Sequence, residues 1–347
     1  MNAYFCIDDK VQATTQLPAA ILALAKNHRL DFDALVRGTG IFDTDLSDCR
    51  HRLSSRKWHR LLQNVEAADR SQELLFRLGR RLPYIAHGAL LQALLNCASA
   101  RELLEILRDH SRLYYPSCFF QLASTTHHHI FLINDAIGHG EQQYLHDQVV
   151  LSSIITLFKA CNISTEGISY LLSQSRPQDT AAHSTYLSSR IHYCSPVTAL
   201  IIPDNCGVHE DASGHSEFSN NAKLSALQQC DMAQMQDKLQ PGFIEAVQKH
   251  LMRQLLREDV CLNSCAQAFN TSPASLKRWL KNHHSSFQQQ LDNARKILAL
   301  SMIFIDELSN DETARRLRIH DRANFRRSFK RWTGTLPSKL REDLLHF

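Results

Sequence analysis

Apolar residues recur at helical spacing along most of the chain, and strand-like runs are confined to its first 220 residues. Helical periodicity, in two cases behind a serine suited to capping a helix, predicts helices over residues 17–30, 54–68, 99–114 and 146–161. Apolar runs of strand length predict strands over residues 118–124, 127–135 and 198–204. Long helices before and among the strands favour an α+β domain over a β-barrel.

Two similar patterns of a short helix, a turn and a basic second helix follow, over residues 261–284 and 310–334. The apolar stripe of the second helix consists of Leu276 and Leu280 in the first pattern and of Phe325, Phe329 and Trp332 in the second. Pro273 suits a first helical turn behind a Ser272 or Thr271 cap. Tandem basic helix-turn-helix units are typical of proteins that bind adjacent stretches of the DNA major groove.

The residues off each apolar stripe are the candidate DNA contacts. They are Ala274, Ser275, Lys277, Arg278 and Lys281 in the first unit, and Arg322, Ala323, Asn324, Arg326, Arg327, Lys330 and Arg331 in the second. Asn324 and Arg327 are predicted to read bases, since Asn bonds adenine and Arg bonds guanine through two atoms each. Lys330 and Arg331 are predicted to bind phosphate. The alternative for either helix is an amphipathic surface helix whose charges are only solvated.

A single helix is predicted between the two units, over residues 286–305, with Leu291, Ala294, Ile297, Leu298 and Met302 on one face. At 1.5 Å per residue it would span ~30 Å. Successive major-groove faces on one side of a duplex are ~34 Å apart. The spacing therefore favours two units that act together on DNA.

The C-terminal hundred residues resemble the AraC/XylS family of bacterial transcription regulators. The matching positions are Ser272, Pro273, Leu276, Arg278 and Leu280 in the first unit, Arg295, Ala299 and Ile303 in the linker, and Phe325, Arg327, Phe329, Lys330, Arg331, Gly334, Pro337 and Arg341 at the end. In the family's Ala-x-x-Leu-Gly-Phe run, Arg318 stands in place of glycine. Arg318 is expected to adopt the turn conformation that favours glycine, unless the turn differs locally.

Leu17 and Pro18 open a first helix, a block LGRRLPYIAHGALLQALLNCASARELLEIL follows over residues 78–107, and a segment AHSTYLSSRIHYCSPVTALIIPD lies over residues 182–204. With these features, residues 17–209 resemble the arabinose-binding-like domain found in the ornithine-utilisation and virulence-regulator branch of that family. The resemblance implies a domain that senses an unknown small-molecule effector or sets the oligomeric state. Polar and aromatic residues grouped near predicted element ends are the candidate effector contacts: Tyr84 and His87 in a helix-entry loop over residues 83–88, Tyr114, Tyr115, His192 and Tyr193. Ordinary packing or surface positions are the alternative for each of them.

Positive charge is concentrated at the C-terminal end. Residues 241–347 hold 18 Lys and Arg against 11 Asp and Glu, a net charge of +7, and the remainder holds 21 against 24, a net charge of −3. A basic surface attracts phosphate and makes affinity fall with salt. The charge distribution is thus what a C-terminal DNA-binding domain requires.

Other chemistries find little support. The sequence has no GxSxG, Walker, GxGxxG or HExxH motif, so no catalytic residue, cofactor or resident metal is expected. In the run His127–His129, residues 127 and 129 share a strand face without a third ligand, and Cys261 and Cys265 lack a second ligand pair. A reactive-cysteine repair module is a rival interpretation, but neither Cys118 nor Cys194 lies beside a histidine. A third interpretation is that the N-terminal domain only dimerises and has a purely structural role.

Taken together, the patterns predict a mainly α protein. An α+β effector-sensing or oligomerisation domain spans residues 1–220, and an interdomain segment spans residues 221–240. Within 207–242 the first half is polar and rich in Ser and Asn, which predicts a loop up to a helix over residues 222–239. An all-α domain with tandem helix-turn-helix units joined by a linker helix spans residues 241–347. The expected protein is a non-enzymatic, sequence-specific activator of bacterial promoters. Its expected partners are double-stranded DNA, RNA polymerase, a small effector and a second copy of the chain. The ten scattered cysteines and the absence of a signal peptide or an apolar run long enough to span a membrane predict a cytoplasmic protein with no membrane partner.

Overall fold

The computed structural model describes residues 4–204, 206, 217–319 and 321–344. The elements up to the end of the sheet are β1 (Lys10–Ala13), α1 (Leu17–Asn27), α2 (Phe32–Val36), β2 (Arg52–Ser54), α3 (Ser55–Ala68), α4 (Leu74–Ile85), α5 (Gly88–Leu95), α6 (Ala100–Asp109), α7 (Ser111–Tyr114), β3 (Cys118–Ser124), β4 (His128–Asp135), α8 (Tyr144–Ala160), β5 (Ser169–Leu171), α9 (Ala181–Tyr186), β6 (Ile191–His192) and β7 (Thr198–Pro203). They are followed by α10 (Glu217–Gln236), α11 (Phe243–Leu255), α12 (Leu262–Ala268), α13 (Pro273–Asn282), α14 (Phe287–Phe304), α15 (Asn310–Arg316), α16 (Arg322–Thr333) and α17 (Pro337–Leu344).

The larger sheet has the strand order β3-β4-β7-β5-β6, and all its pairs are antiparallel except β5 with β6. Side chains alternate between its faces. Phe131 and Ile133 of β4 join the main N-terminal core, whereas Ile130 and Leu132 point to the opposite face. Helix α8 runs through that core against α4. Gly79 allows the close approach, since a Cβ there would lie 2.9 Å from Cβ of Ser152.

The fold class predicted from the sequence is confirmed: a mainly helical chain with an α+β N-terminal part and an all-helical C-terminal part. The predicted strand over residues 118–124 coincides with β3, and Ser54 and Ser99 cap α3 and α6. The helix predicted over residues 99–114 breaks at His110, whose ring Nδ1 lies 2.7 Å from Gln234 Nε2 of α10. The loop predicted over residues 83–88 is largely wrong. Helix α4 runs through Pro83 to Ile85, because the hydrogen bond that proline cannot make falls in the last turn.

Helix α10 lies on the N-terminal half. Its Cys230 is buried in the N-terminal core, and Lys223 forms a 2.6 Å ion pair with Glu102 of α6. The predicted helix over residues 222–239 is therefore present but begins earlier, at Glu217. Residues 217–221, predicted as the end of the polar loop, are helical, and the earlier part of that loop, residues 207–216, lies outside the described residues.

A second core cluster holds the C-terminal half together and contains apolar residues of α11 to α17. Helix α14 passes through its centre with Leu291, Ala294, Leu298 and Met302 buried, as the sequence predicted for one face.

The N-terminal segment and α11 join the two halves. Phe5 accepts a backbone hydrogen bond from Phe243 and donates one to Pro241, both 2.9 Å long. The Tyr4 ring packs 5.1 Å from the Phe243 ring. Glu245 is buried and forms a 3.3 Å ion pair with Arg112 of α7. Glu245 also pairs with Lys249 of its own helix at 2.7 Å, so the buried carboxylate has two cationic partners, of which Arg112 is the one that links α11 to α7.

Within the described part of the chain, no helix is both long and apolar enough to cross a membrane. All ten cysteines are free thiols.

Candidate nucleic-acid interface and effector cavity

The first helix-turn-helix unit consists of α12, a turn and α13. Asn270 in the turn has φ of 50°, a left-handed conformation that asparagine tolerates better than most residues. The Ser272 hydroxyl accepts a 3.1 Å hydrogen bond from the Ser275 amide, and Pro273 occupies the first helical position. Leu276 and Leu280 are fully buried. The predicted cap, first turn and apolar pair of this helix are thereby confirmed.

The second unit consists of α15, a turn and α16. Arg318 in the turn has φ of 56°, so it adopts the glycine-like conformation expected from its place in the motif, at a cost of about 1–2 kcal/mol. Asp321 caps α16 by accepting a 2.6 Å hydrogen bond from the Asn324 amide. Phe325 and Phe329 are fully buried and their ring centroids are 5.8 Å apart. The helix ends at Gly334 with φ of 79°.

Among the twelve predicted DNA contacts, eleven side chains are exposed and Ser275 is half-buried. Most of them lie on the faces of α13 and α16 away from the buried stripes, whereas Arg322, three residues before Phe325, is exposed in the first turn of α16 on the side of its stripe. Arg327 donates a 2.7 Å hydrogen bond to the Asn324 side-chain oxygen, so the two predicted base-reading residues are held side by side. Both remain exposed and can exchange this bond for bonds to base edges.

Asp292 of α14 was missed by the sequence reasoning. Its carboxylate accepts 3.0 Å hydrogen bonds from Arg331 and from the Trp332 indole. DNA phosphate therefore has to compete with a carboxylate for Arg331, whereas Lys330 is exposed and forms no ion pair with the part of the chain that the structure describes. Arg322 makes a looser 3.6 Å ion pair with Asp311, and both side chains are well exposed. Exposed pairs of this kind are worth ~0–1 kcal/mol and yield readily to phosphate.

The predicted effector contacts are scattered in the structure. Tyr84 is exposed on α4 and His87 is half-buried after it. Tyr114 and Tyr115 are buried in the N-terminal core, where the Tyr115 hydroxyl lies 2.8 Å from His146 Nδ1. His192 and Tyr193 lie together in the wall of a large cavity.

That cavity has a volume of about 880 Å³ and lies between the open face of the sheet and the C-terminal helices. Its sheet wall contains apolar side chains such as Ile130 and Leu132, and its opposite wall contains Ile297, Leu300 and Phe304 of α14. Among its polar lining residues are Gln121, His192, Ser195, Ser301, Thr333, Thr335 and Lys339. An apolar cleft with a few polar groups is the usual form of a small-molecule site.

Lys296 of α14 is half-buried beside this junction and donates a 2.6 Å hydrogen bond to the Pro196 carbonyl. Burial lowers the pKa of Lys296 to about 8. Burial also lowers the pKa of Arg295 and of His192. The linker helix is thus tied to the loop that carries the cavity residues by a cation with little solvent around it.

The reactive-cysteine alternative is weakened by the environment of Cys118. Its thiol is buried in the N-terminal core, and burial raises its pKa well above the ordinary value. A protonated, inaccessible thiol is a poor nucleophile.

A group of metal-ligating side chains also lies in the N-terminal half. One ring nitrogen from each of His59, His139 and His146 falls within 4.8 Å of the others, a juxtaposition that sequence spacing did not reveal. Imidazole nitrogens are ligands for Zn, Cu, Fe and Ni.

Both halves of the chain match known protein families. Residues 30–207 match the family described as the arabinose-binding domain of AraC transcription regulator, N-terminal, and residues 265–343 match a helix-turn-helix domain family. The "Ornithine utilization regulator" of Pseudomonas aeruginosa is 24% identical over 327 residues, which cover 93% of this chain and 94% of the relative. The crystal structure of transcriptional regulator CdpR from Pseudomonas aeruginosa covers 93% of this chain and 96% of its own, with 16% identity and a TM-score of 0.39.

Proposed function

Because the chain belongs to the family of AraC transcription regulators and is a DNA-binding transcription regulator, we propose that α13 and α16 enter two consecutive major-groove segments of a promoter. The observation that carries this proposal is the pairing of two helices that each expose a cationic face opposite a buried apolar stripe. Helix α14, 18 residues long, separates them by a distance suited to one turn of duplex.

Arg278 and Lys281 on α13, and Asn324 and Arg327 on α16, are the proposed base-reading and groove-facing residues. Lys277, Lys330 and Arg331 supply phosphate contacts. Asn324 and Arg327 are the best-placed pair, since each already orients the other through a 2.7 Å hydrogen bond. Adenine and guanine at neighbouring positions are the bases that such a pair would select.

We propose further that the effector binds in the cavity between the sheet and α14. The walls favour a largely apolar small molecule with one or two polar groups that meet His192, Ser195 or Lys339. Such a ligand would contact both halves at once, so it would favour one placement of α14 over others. This contact is the proposed route by which effector binding changes DNA binding.

The remaining parts of the proposal concern partners. A regulator bound upstream of a promoter activates by contacting RNA polymerase, and paired operator sites favour a homodimer. A cytoplasmic location follows from a promoter target and free thiols.

A binding experiment on promoter-length DNA tests the proposal. The full chain is expected to protect a discrete site spanning two major-groove segments, and Arg327→Ala is expected to lose base preference at one of them. Lys238→Ala serves as a matched control, because Lys238 is a cation outside both units. Equal, sequence-independent binding by wild type and Arg327→Ala would reject base reading by α16. A dimerisation-only N-terminal domain would show unchanged DNA affinity with every apolar compound that enters the cavity.

A further inference from the structure

Three histidines from distant parts of the chain converge at one edge of the N-terminal core. His59 comes from α3, His139 from the loop after β4, and His146 from the first turns of α8. His59 Nδ1 lies 3.0 Å from His146 Nε2. The His139 and His146 ring centroids are 3.9 Å apart, and the His59 ring lies 4.8 Å from that of His139. Three imidazoles therefore crowd a single small volume.

The outer nitrogen of each ring is held by a polar side chain. His139 Nδ1 donates to Asp135 at 3.0 Å, and the Tyr115 hydroxyl lies 2.8 Å from His146 Nδ1. The Gln63 amide nitrogen lies 3.2 Å from His59 Nε2 and donates to it, so a metal ion on His59 Nδ1 requires the Gln63 amide to turn its oxygen towards that ring. Metal-binding histidines are held in this way, with the second nitrogen oriented by a carboxylate or another polar group. The pattern leaves the inner nitrogens of all three rings directed towards one another.

His139 Nε2 supplies a second, independent observation. The His139 side chain is fully buried, and no hydrogen-bond partner is found for Nε2 in the described structure. With the proton of His139 on Nδ1 for Asp135, Nε2 carries a bare lone pair. Buried polar atoms are rarely left without a partner, and a bound ion is one of the groups that explain the exceptions.

We propose that His59, His139 and His146 form a binding site for a divalent transition-metal ion, with Zn²⁺ as the ion that their chemistry fits best. Tetrahedral zinc at 2.0–2.1 Å from each nitrogen separates its ligands by ~3.3 Å. The three nitrogens, within 4.8 Å of one another, need only small side-chain rotations to reach that spacing. His59 is half-buried, so its side of the cluster gives the ion a way in and leaves a fourth position for water.

The donor set decides the class of ion. Asp147, the nearest buried carboxylate on α8, is turned to Thr198 at 2.8 Å and to Gln143 at 3.0 Å, so it does not supply oxygen to the cluster. Three neutral imidazoles suit zinc, copper, nickel or iron and disfavour calcium and magnesium, which take oxygen ligands.

The site lies next to the contact between the two halves. Asp135, which orients His139, also accepts backbone hydrogen bonds from Ile137, Gly138 and His139 at 2.5–2.8 Å. The Ile137 carbonyl in turn accepts a hydrogen bond from His283 at the end of α13. An ion on His139 would therefore restrain the loop that holds the first recognition helix. This consequence for DNA rests on the proposed function, whereas the metal site itself does not.

Zinc uptake by the full chain tests the site. The chain is purified without a histidine tag, stripped with a chelator and titrated with Zn²⁺ against a competing zinc indicator. Wild type is expected to bind one ion with sub-micromolar affinity, and to bind Co²⁺ with the visible absorption of a low-symmetry site. At a hundredfold excess over Kd, zinc should raise Tm by roughly 5 °C.

His59→Gln is expected to weaken zinc binding at least about 100-fold, and Tyr115→Phe, which removes only the hydroxyl beside His146, about 10–100-fold. His250→Gln is the matched control, since it replaces another half-buried helical histidine away from the cluster. The metal-free Tm of each variant shows whether it is folded. No uptake by wild type, or equal uptake by folded wild type and His59→Gln, would overturn the site.

The consequence for DNA has its own readout. DNA affinity of the zinc-loaded and metal-free chains is expected to differ by about 5–150-fold, the usual range of coupling between sites, and the difference should vanish in His59→Gln. Zinc uptake without any change in DNA affinity would overturn the coupling and leave the site standing. Failure of both forms to bind DNA would instead count against the proposed function.

Discussion

Gly138 lies where the N-terminal half touches the end of the first recognition helix, and its replacement by alanine should separate the two. Its φ is 102°, outside the range that side chains favour. A Cβ there would lie 2.9 Å from the carbonyl carbon and 3.0 Å from Cβ of His283, and closer still to the carbonyl oxygen. Ordinary contacts begin at 3.4 Å, so the backbone of one partner has to move.

The expected cost has two parts. Alanine at a positive φ costs roughly 1–3 kcal/mol. Movement of the loop also breaks the buried hydrogen bond from His283 to the Ile137 carbonyl, which costs about 1–3 kcal/mol more when both groups stay buried. The free energy needed to open the junction should therefore fall by about 2–6 kcal/mol. Neither core loses a buried side chain, so each half should stay folded.

Gly140→Ala is the matched control, because Gly140 also has a positive φ, 63°, with no other atom within 4 Å of the new Cβ. It carries the backbone strain without the clash. Native-state hydrogen exchange measures the result: amides at residues 5–7 and 283–285 should exchange faster in Gly138→Ala than in Gly140→Ala. Equal exchange in the two variants would refute the argument that Gly138 permits the close approach.

Further predictions concern DNA binding, the second core and a half-buried cation. Arg327→Ala should cost about 1–3 kcal/mol of binding free energy at its preferred base, whereas Lys330→Ala should weaken binding to all sequences and reduce the salt slope by about 1, as titrations at several salt concentrations would reveal. Phe325→Ala should lower the free energy of unfolding of the C-terminal half by about 3–5 kcal/mol in urea denaturation, and exposed Arg326→Ala should change it little. The folded pKa of Lys296, about 8, is below the ordinary value of 10.5, so the unfolded chain binds more protons between these pH values. Stability of the wild type should therefore rise by about 3 kcal/mol relative to Lys296→Met as pH increases from 8 to 10.5, and parallel pH profiles for the two would contradict this.

The local sequence pattern was sufficient to predict most of the helices and strands. An apolar run of strand length located β3 to the residue, and the apolar stripes at Leu276 and at Phe325 identified both recognition helices. The motif position of Arg318 predicted its left-handed backbone. These features depend on neighbours within a few residues, so periodicity, capping and turn chemistry determine them.

The features that escaped the sequence depend on distant residues. His59 and His139 are 80 positions apart, so nothing in their spacing marks the histidine cluster. The seven-residue step from His139 to His146 across the start of α8 is its only local trace. The cavity forms only because the sheet and α14 face each other. The hydrogen bond from Arg331 to Asp292 forms only because α16 packs next to α14. Convergence of this kind comes from tertiary packing, which a local pattern does not contain.

Selection of binding sequences from random double-stranded DNA by the full chain tests the central claim most directly. The account predicts an enriched motif with two blocks about 10 bp apart, one lost in Arg278→Ala and the other in Arg327→Ala. A chain that enriches no motif, or variants that keep both blocks, would contradict the assignment of α13 and α16 as paired recognition helices.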